Sequence, residues 1–277
     1  MSFGDYLSDG FDRLGTLLPL ALVPLFATFL HLDNIRRATS FTGYHLGATF
    51  RFPTAIPTFW TFVSLPNQGV GVHVSPTMYF APVTIVVESV LAAGYLGSVR
   101  DAIETGRYDF ARNAKEYFVP LLGYTLLVWA VLLVAFGVGV AFAPLLFVAL
   151  PVMLILSYLF YGTPFLVVVD DCSLGEALRR SNDLAVGGSD ADTTYGSFGV
   201  GYLVFVFVAS LVGTLFINLG VVGVVLGAVL SAPVALALTA ATVEFFVDLR
   251  GSNPDSTDRP PEDRPPTERP PTERFDY

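Results

Sequence analysis

Long apolar stretches that carry almost no charge restrict the fold of this chain more than any other feature. A stretch of about 20 apolar residues is long enough for a helix that crosses the hydrocarbon layer of a membrane. Because that layer offers no water to backbone amides, such stretches predict transmembrane helices. We predict six spans, at residues 14–32, at 78–99, from about 118, up to 169, at 198–217 and at 219–247.

The composition agrees with a membrane protein. Of the 277 residues 53% are hydrophobic and only 14% are charged, whereas soluble domains carry about 25% charged residues. The net charge of −9 argues against nucleic acid as a partner. Lys115 is the only lysine among 15 basic residues, which indicates a salt-loving, haloarchaeal host, with codon bias as the alternative. The single cysteine excludes an intramolecular disulfide, and no cofactor is expected.

The distribution of basic residues predicts the orientation. Cytoplasmic loops of membrane proteins carry an excess of arginine and lysine. With both termini in the cytoplasm of a multi-pass protein of the cell membrane, segments 100–117 and 170–198 are cytoplasmic, and residues 33–77 form an outer loop. The cytoplasmic side then holds Arg13, Arg100, Arg107, Arg112, Lys115, Arg179, Arg180 and Arg250, and the outer side holds Arg36, Arg37 and Arg51.

The outer loop is rich in aromatic residues and is interrupted by Pro53, Pro57, Pro66 and Pro76. These prolines forbid one long helix, since proline lacks a backbone N–H donor. We expect a small cap that rests on the outer face, with its aromatic side chains at the depth of the lipid headgroups.

Residues 162–188 predict a short amphipathic helix that follows the fourth span. Ser173 and Glu176 have the spacing of a capping box. Arg179 and Arg180 lie beside an apolar stripe, and two glycines end the helix. A helix of this kind is expected to lie flat on the lipid surface. The preceding span contains the sequence Gly162-Thr163-Pro164, which predicts a kink.

Glu88 lies near the middle of the second span. An ionised carboxylate there costs at least a few kcal/mol (about 2.5–3.5 on insertion scales), so the residue indicates an ion or proton path. The alternative is a protonated Glu88 that is hydrogen-bonded to a neighbouring helix.

Three histidines fall at or within the outer loop, namely His31, His45 and His73. Histidines on one face of a loop are weak candidates for a zinc site. Their spacing matches no metal-binding motif, so we predict no metal site.

Small residues recur at every fourth position of the sixth span, at Gly223, Gly227, Ser231, Ala235 and Thr239. This pattern allows close approach of helix backbones. It predicts packing against another span of the same chain or, alternatively, a homodimer.

The tail, residues 251–277, repeats RPPED, RPPTE and RPPTE. Proline and balanced charge prevent a core and favour an extended, disordered cytoplasmic segment. The tail is predicted to be a tether or, alternatively, a docking strip for a protein partner.

Residues 92–124 and 164–188 resemble haloarchaeal polytopic membrane proteins of unknown function. These are in turn similar to the membrane domain of glycerophosphoryl diester phosphodiesterases. The shared pattern is a span, an acidic turn and the run from Ser173 to Ser181. The catalytic domain of those enzymes has no counterpart in this sequence, so the resemblance implies a membrane-embedded, non-catalytic module.

The sequence therefore predicts an all-α integral membrane protein with six spans in residues 1–250 and short interfacial helices. The first functional hypothesis is a non-catalytic scaffold or accessory subunit that contacts lipid and recruits a partner through its cytoplasmic helices or tail. The alternative is a small transporter or channel that uses Glu88, because a buried acid near broken spans is typical of transporter sites. An intramembrane enzyme acting on lipid is the third hypothesis.

Overall fold

The computed structural model describes residues 1–66, 76–141, 145–187 and 194–251. Within these ranges the regular structure is helical and no strand is present. The α-helices are α1 (Phe3–Asp12), α2 (Leu14–Leu17), α3 (Leu22–Leu30), α4 (Leu32–Ser40), α5 (Pro76–Thr105), α6 (Phe110–Ala141), α7 (Leu146–Phe160), α8 (Thr163–Val169), α9 (Leu174–Gly187), α10 (Tyr195–Ile217) and α11 (Gly220–Gly251). Short 3₁₀ turns lie at Leu18–Ala21 and Phe59–Phe62.

The membrane-spanning class of the fold is confirmed. In the described ranges, five helical stretches are long and apolar enough to cross a membrane: Phe80–Thr105, Phe110–Gly139, Phe147–Val169, Tyr195–Ile217 and Gly220–Gly251. A sixth crossing results if α1 and the stretch Leu14–Leu30 count as one span with a 53° bend. The protein is therefore an all-helical, multi-pass membrane protein with five or six spans.

The first predicted span is not one straight helix. The chain forms a 3₁₀ turn at Leu18–Ala21, which contains Pro19, and α3 then ends at Leu30. His31 has backbone angles of −83° and 66°, which lie outside the helical region, so Leu32 already belongs to α4. Proline removes a helical hydrogen bond and explains the irregular start. Hydropathy alone does not indicate the break at His31.

The polar segment 100–117, predicted as a connection, is mostly helical. α5 continues to Thr105 and α6 begins at Phe110, so the turn between them is short and contains Gly106 with a φ of +72°. We call the end of the bundle that holds this turn, α9 and the last turns of α11 the arginine-rich end. The opposite end, with the α10–α11 turn at Asn218, is called the Asn218 end.

The prediction of an outer cap at residues 33–77 is wrong for the part that the structure describes. After α4, residues 41–66 run into the helix bundle, and we call them the inserted segment. Its second half is the most deeply placed, since Phe59, Trp60, Phe62 and Val63 are each at most 4% exposed. The prolines and aromatic residues that forbid a helix therefore serve an extended path through the interior.

The inserted segment enters along α10. The backbone of His45 bonds the Asn218 side chain through both its N–H (2.7 Å) and its carbonyl (2.9 Å). Two helical turns further along α10, the Thr49 N–H donates to the Ser210 hydroxyl at 2.9 Å. Still deeper, the Phe52 ring stacks on Tyr161, with centroids 5.8 Å apart. The segment thus descends from the Asn218 end past the middle of α10.

The segment returns between α3, α10 and α11. The Trp60 indole donates to the Thr28 carbonyl at 2.8 Å, and the Phe59 N–H donates to the Thr28 hydroxyl at 3.1 Å. The Ser64 N–H then donates to Thr214 at 3.0 Å. Because extended backbone cannot satisfy its own amides, helix hydroxyl groups replace the missing partners.

Small residues on α11 make room for this segment. A side chain on Gly227 would clash with the Phe59 ring, and one on Gly223 would clash with the Phe216 carbonyl. Ala235, further along the stripe, is 1% exposed, and Ser231 is half-buried. These contacts favour packing within the chain over a homodimer through the same stripe, and the homodimer stays a prediction.

We expect Gly213→Ala to loosen the inserted segment. An added methyl group at Gly213 would clash with the carbonyl oxygen and carbon of Phe62. These are backbone atoms, so they cannot move aside independently of the chain. Overpacking of this kind costs about 1–3 kcal/mol of unfolding free energy. Thermal unfolding of the purified protein in detergent measures the loss. Gly137→Ala is the matched control, because nothing lies within 4 Å of an added methyl there. An equal effect in both variants would contradict the close contact.

Candidate functional site

His31 and Glu88, which the sequence presented as unrelated candidates, lie side by side. The His31 Nε2 atom is 3.6 Å from the Glu88 Oε1 atom. This distance is within ion-pair range but too long for a good hydrogen bond. The His31 side chain is 38% exposed and the Glu88 side chain is 25% exposed. The break after α3 and the middle of α5 therefore present an imidazole and a carboxylate to each other.

The depth of this pair makes it unusual. Glu88 lies in the interior of the predicted membrane crossing Phe80–Thr105, and the adjacent Ser89 contacts Thr125 near the middle of α6 at 3.3 Å. Ionisable side chains at such a depth face the bundle interior or a water-filled cavity rather than lipid. Both side chains are partly exposed, and we call the place where they meet the recess.

Arg51 of the inserted segment belongs to the same recess. Its neighbours fix its position, since Phe50 stacks on Phe207 of α10 (4.9 Å) and Phe52 stacks on Tyr161. The guanidinium is close enough to His31 for direct electrostatic interaction, and the residue is exposed. We call His31, Arg51 and Glu88 the recess residues.

A layer of buried hydroxyl groups adjoins the recess. Tyr95, on the same face of α5 as Glu88, donates to Thr239 of α11 at 3.1 Å. Tyr202 of α10 lies close enough to both Tyr95 and Arg51 for electrostatic interaction. Tyr202 is 0% exposed, and its hydroxyl has no hydrogen-bond partner among the described residues. Sequence patterns carry little signal for Arg51 or Tyr202, because only the fold brings them near Glu88.

A second charged cluster closes the arginine-rich end. Asp101 is 5% exposed and accepts hydrogen bonds from Arg100 and Arg112, each at 2.7 Å, and from Asn113 at 2.8 Å. Arg100 also donates to the Val168 carbonyl at 2.8 Å. A helix leaves its last carbonyls without partners. The cluster therefore satisfies the end of α8 and joins it to α5 and α6.

Arg250 of α11 extends this cluster. Its guanidinium donates to the Val169 carbonyl and to Glu104 of α5, each at 2.6 Å. With Asp101 at its centre, the cluster is compact and its charges are paired, so we assign it a structural role.

The first and last helices also meet at the arginine-rich end. The Tyr6 hydroxyl donates to Asp248 at 2.9 Å, and Arg13 donates to Glu244 at 2.7 Å. These contacts place both ends of the described chain on the same side of the bundle.

The predicted amphipathic helix is present as α9, and its position flat on the lipid surface stays a prediction. The Ser173 hydroxyl accepts from the Glu176 N–H at 3.4 Å, which is half of the capping box. Arg180 pairs with Asp170 at 2.6 Å, whereas Arg179 is exposed. Burial raises the pKa of the Asp170 carboxyl, and Arg180 opposes this rise. Ser181, 0% exposed, donates to the Leu159 carbonyl at 2.8 Å. One face of α9 therefore packs on protein, and the other is free to contact lipid.

The remaining histidine positions do not meet. His45 contacts the Ser64 carbonyl at 3.1 Å near the Asn218 end, whereas His31 contacts Glu88. His73 lies outside the described residues. Within the described part of the chain, no three histidine, cysteine or acidic side chains are grouped as metal ligands.

We expect Asp101→Asn to destabilise the protein by about 3 kcal/mol, because it leaves two arginines without their buried carboxylate. Chemical or thermal unfolding in detergent gives the difference. Asp183→Asn on α9 is the matched control, since Asp183 is exposed, and it should change stability by less than about 0.5 kcal/mol. Similar losses in the two variants would contradict the structural role of the cluster.

We expect an Arg51→Cys variant to react rapidly with a charged, water-soluble thiosulfonate, because Arg51 is exposed and ionisable side chains at membrane depth face water rather than lipid. Burial raises the pKa of the native Cys172 thiol to about 11, so its background reaction at neutral pH is slow. Val208→Cys is the control, because Val208 is 56% exposed on an apolar face of α10 that is suited to lipid. Equal rates at both positions, measured by mass spectrometry, would argue against a water-filled recess.

Comparison of the chain with protein-family models, with curated proteins and with solved structures finds no match. The resemblance to haloarchaeal membrane proteins and to the phosphodiesterase membrane domain therefore stays a prediction.

Proposed function

We propose that the protein is a small membrane transporter or channel in which His31 and Glu88 form a proton-carrying pair. The observation that carries this proposal is their 3.6 Å contact near the middle of a predicted span. A protonated Glu88 can pass its proton to the neutral His31 ring through one bridging water or after the side chains close to hydrogen-bond distance, which leaves a carboxylate beside an imidazolium. One proton can therefore occupy either partner, as a relay across the membrane requires.

The irregular backbone beside the pair supports the same function. α3 ends at Leu30, next to the pair, and the inserted segment passes the recess with non-helical backbone. Non-helical backbone at membrane depth is tolerated where it is buried in protein or lines a water-filled cavity. Discontinuous helices at the centre of the bundle are a recurring feature of transporter sites.

We further propose a location in the cell membrane with both termini in the cytoplasm. The support comes from charge, because Arg100, Arg112 and Arg250 gather at the arginine-rich end, and cytoplasmic faces are enriched in basic residues. The contact of Tyr6 with Asp248 at 2.9 Å supports a common side for the two ends of the chain.

Proton flux into liposomes tests the proposal. The full-length protein is reconstituted with a pH-sensitive dye inside, and a potassium diffusion potential is applied. We expect potential-driven proton entry with the native protein and a loss of at least about tenfold with Glu88→Gln or His31→Gln, since general proton transfer by one side chain contributes about 10²–10⁴-fold. Thermal unfolding should show that Glu88→Gln remains folded.

Glu116→Gln on α6 is the matched control, because it makes the same chemical change at an exposed position. It should leave proton flux unchanged. Absence of flux with the native protein, or equal flux with Glu88→Gln, would remove the pair from any transport mechanism.

The scaffold or accessory subunit is the second candidate function. It is favoured by α6, whose apolar surface between Leu126 and Val138 is largely exposed. Together with Val148 and Val152 of α7 this surface forms an apolar groove, which suits either lipid or the helix of a partner. Purification with and without residues 251–277 separates the two functions: a stoichiometric partner that is lost with the tail would support the scaffold.

A further inference from the structure

We propose that Trp60 is a positioning residue for the proton-carrying pair, because its indole group holds the helix break at His31 that brings the imidazole to Glu88. The inference rests on the proposed transport function and deepens it, since it names the side chain on which the pairing depends. Trp60 acts through the backbone of α3.

The break at His31 leaves a buried carbonyl of α3 without its helical partner. In a continuous α-helix, the carbonyl of residue 28 accepts from the N–H of residue 32. The ψ angle of His31 is 66°, whereas a helical residue has a ψ of about −42°, so the Leu32 N–H is turned away from the Thr28 carbonyl. Thr28 is 1% exposed, and water therefore cannot replace the lost donor.

Trp60 supplies the replacement. Its indole N–H donates to the Thr28 carbonyl at 2.8 Å. The preceding residue adds a second bond, from the Phe59 N–H to the Thr28 hydroxyl at 3.1 Å. Because a buried carbonyl without a donor is unfavourable, these bonds stabilise the broken backbone relative to a helix that continues through His31.

The turn that carries Trp60 is itself fixed from two sides. Within the turn, the Thr61 N–H donates to the Thr58 carbonyl at 2.9 Å, and the Thr58 N–H donates to the Thr61 hydroxyl at 3.0 Å. On the side of α11, the Phe59 ring fills the space that a side chain on Gly227 would need. Trp60 is 2% exposed, so its indole has little room to move away from α3.

The distance between His31 and Glu88 depends on this break. α4 begins directly after His31, and the His31 carbonyl accepts from the Ile35 N–H at 3.2 Å. Helical angles at residue 31 would redirect α4 relative to α3. Because both helices pack on α11, they could not both keep their contacts, and the end of α3 would move relative to α5. The His31 ring would then leave its position 3.6 Å from Glu88.

Nuclear magnetic resonance of the full-length protein in detergent, with ¹³C-labelled histidine side chains, tests the inference. His31→Gln assigns the His31 signal. In the native background, Glu88→Gln should shift this signal and leave that of His45 unchanged, since His45 contacts the Ser64 carbonyl instead. In the Trp60→Phe background, the shift of the His31 signal by Glu88→Gln should be lost, because the two groups are no longer coupled.

Proton flux into liposomes measures the consequence for transport. Trp60→Phe should lower the flux by at least about tenfold, since a misplacement of about 1 Å can cost 10²-fold in rate. Trp129→Phe on α6 is the matched control, because it makes the same change at the other tryptophan of the chain. It should leave both the flux and the response of His31 to Glu88→Gln unchanged.

An isosteric replacement separates the lost hydrogen bond from the lost volume. In the Trp129→Phe protein, the remaining tryptophan is replaced biosynthetically by 3-benzothienylalanine, in which sulfur takes the place of the indole N–H and the ring keeps its shape. We expect the same loss of the His31 response as in Trp60→Phe. This replacement decides the question if Trp60→Phe does not fold.

Two results would overturn the positioning role: no shift of the His31 signal by Glu88→Gln in the native background, or an unchanged shift in folded protein with 3-benzothienylalanine at position 60. The two readouts also separate this inference from the transport proposal. A lost His31 response in a protein that shows no native flux removes only the proton relay. Native flux that persists with 3-benzothienylalanine, together with an unchanged His31 response, removes only the positioning role.

Discussion

Backbone amides that must find partners away from water are the constraint on which this structure depends. A non-helical segment inside a helix bundle has few internal hydrogen bonds, so other elements must supply most of its acceptors and donors. Thr28 does so from α3, and Ser210, Thr214 and Asn218 do so from the last turns of α10 and its cap. Their side chains take part in interhelical contacts that would otherwise be apolar. The same bonds therefore set the spacing of the helices around the inserted segment and their relative positions along the bundle.

The bundle has two polar layers, the arginine-rich end and the recess, and charged residues are paired differently in each. At the arginine-rich end, Asp101 is surrounded by donors, and its bonds from Arg112 and Asn113 join α5 to α6. In the recess, His31 and Glu88 lie 3.6 Å apart, beyond the distance of a good hydrogen bond, so their pairing is incomplete. A layer with complete pairing is suited to hold helices together. A layer with incomplete pairing is suited to bind and release a proton.

Local sequence patterns predicted the helices well and the contacts between them poorly. The cap at Ser173, the turn at Asn218 and the mid-span position of Glu88 depend on a few adjacent residues, and these features are present. The inserted segment was misplaced because proline and aromatic residues exclude a helix without indicating depth. Depth depends on contacts such as Ser64 with Thr214, which are 150 residues apart. The partnership of His31 with Glu88 depends on the same long-range packing.

The contacts between the first and last helices have a consequence for biosynthesis. Tyr6 and Asp248 are separated by 242 residues, and Arg13 and Glu244 by 231. A ribosome therefore releases the partner of α1 into the membrane only after nearly all other helices have been made. Until then, the Arg13 charge and the face of α1 that packs on α11 lack their native environment. The order of synthesis thus leaves the first helix without its partner until the last helix has been made.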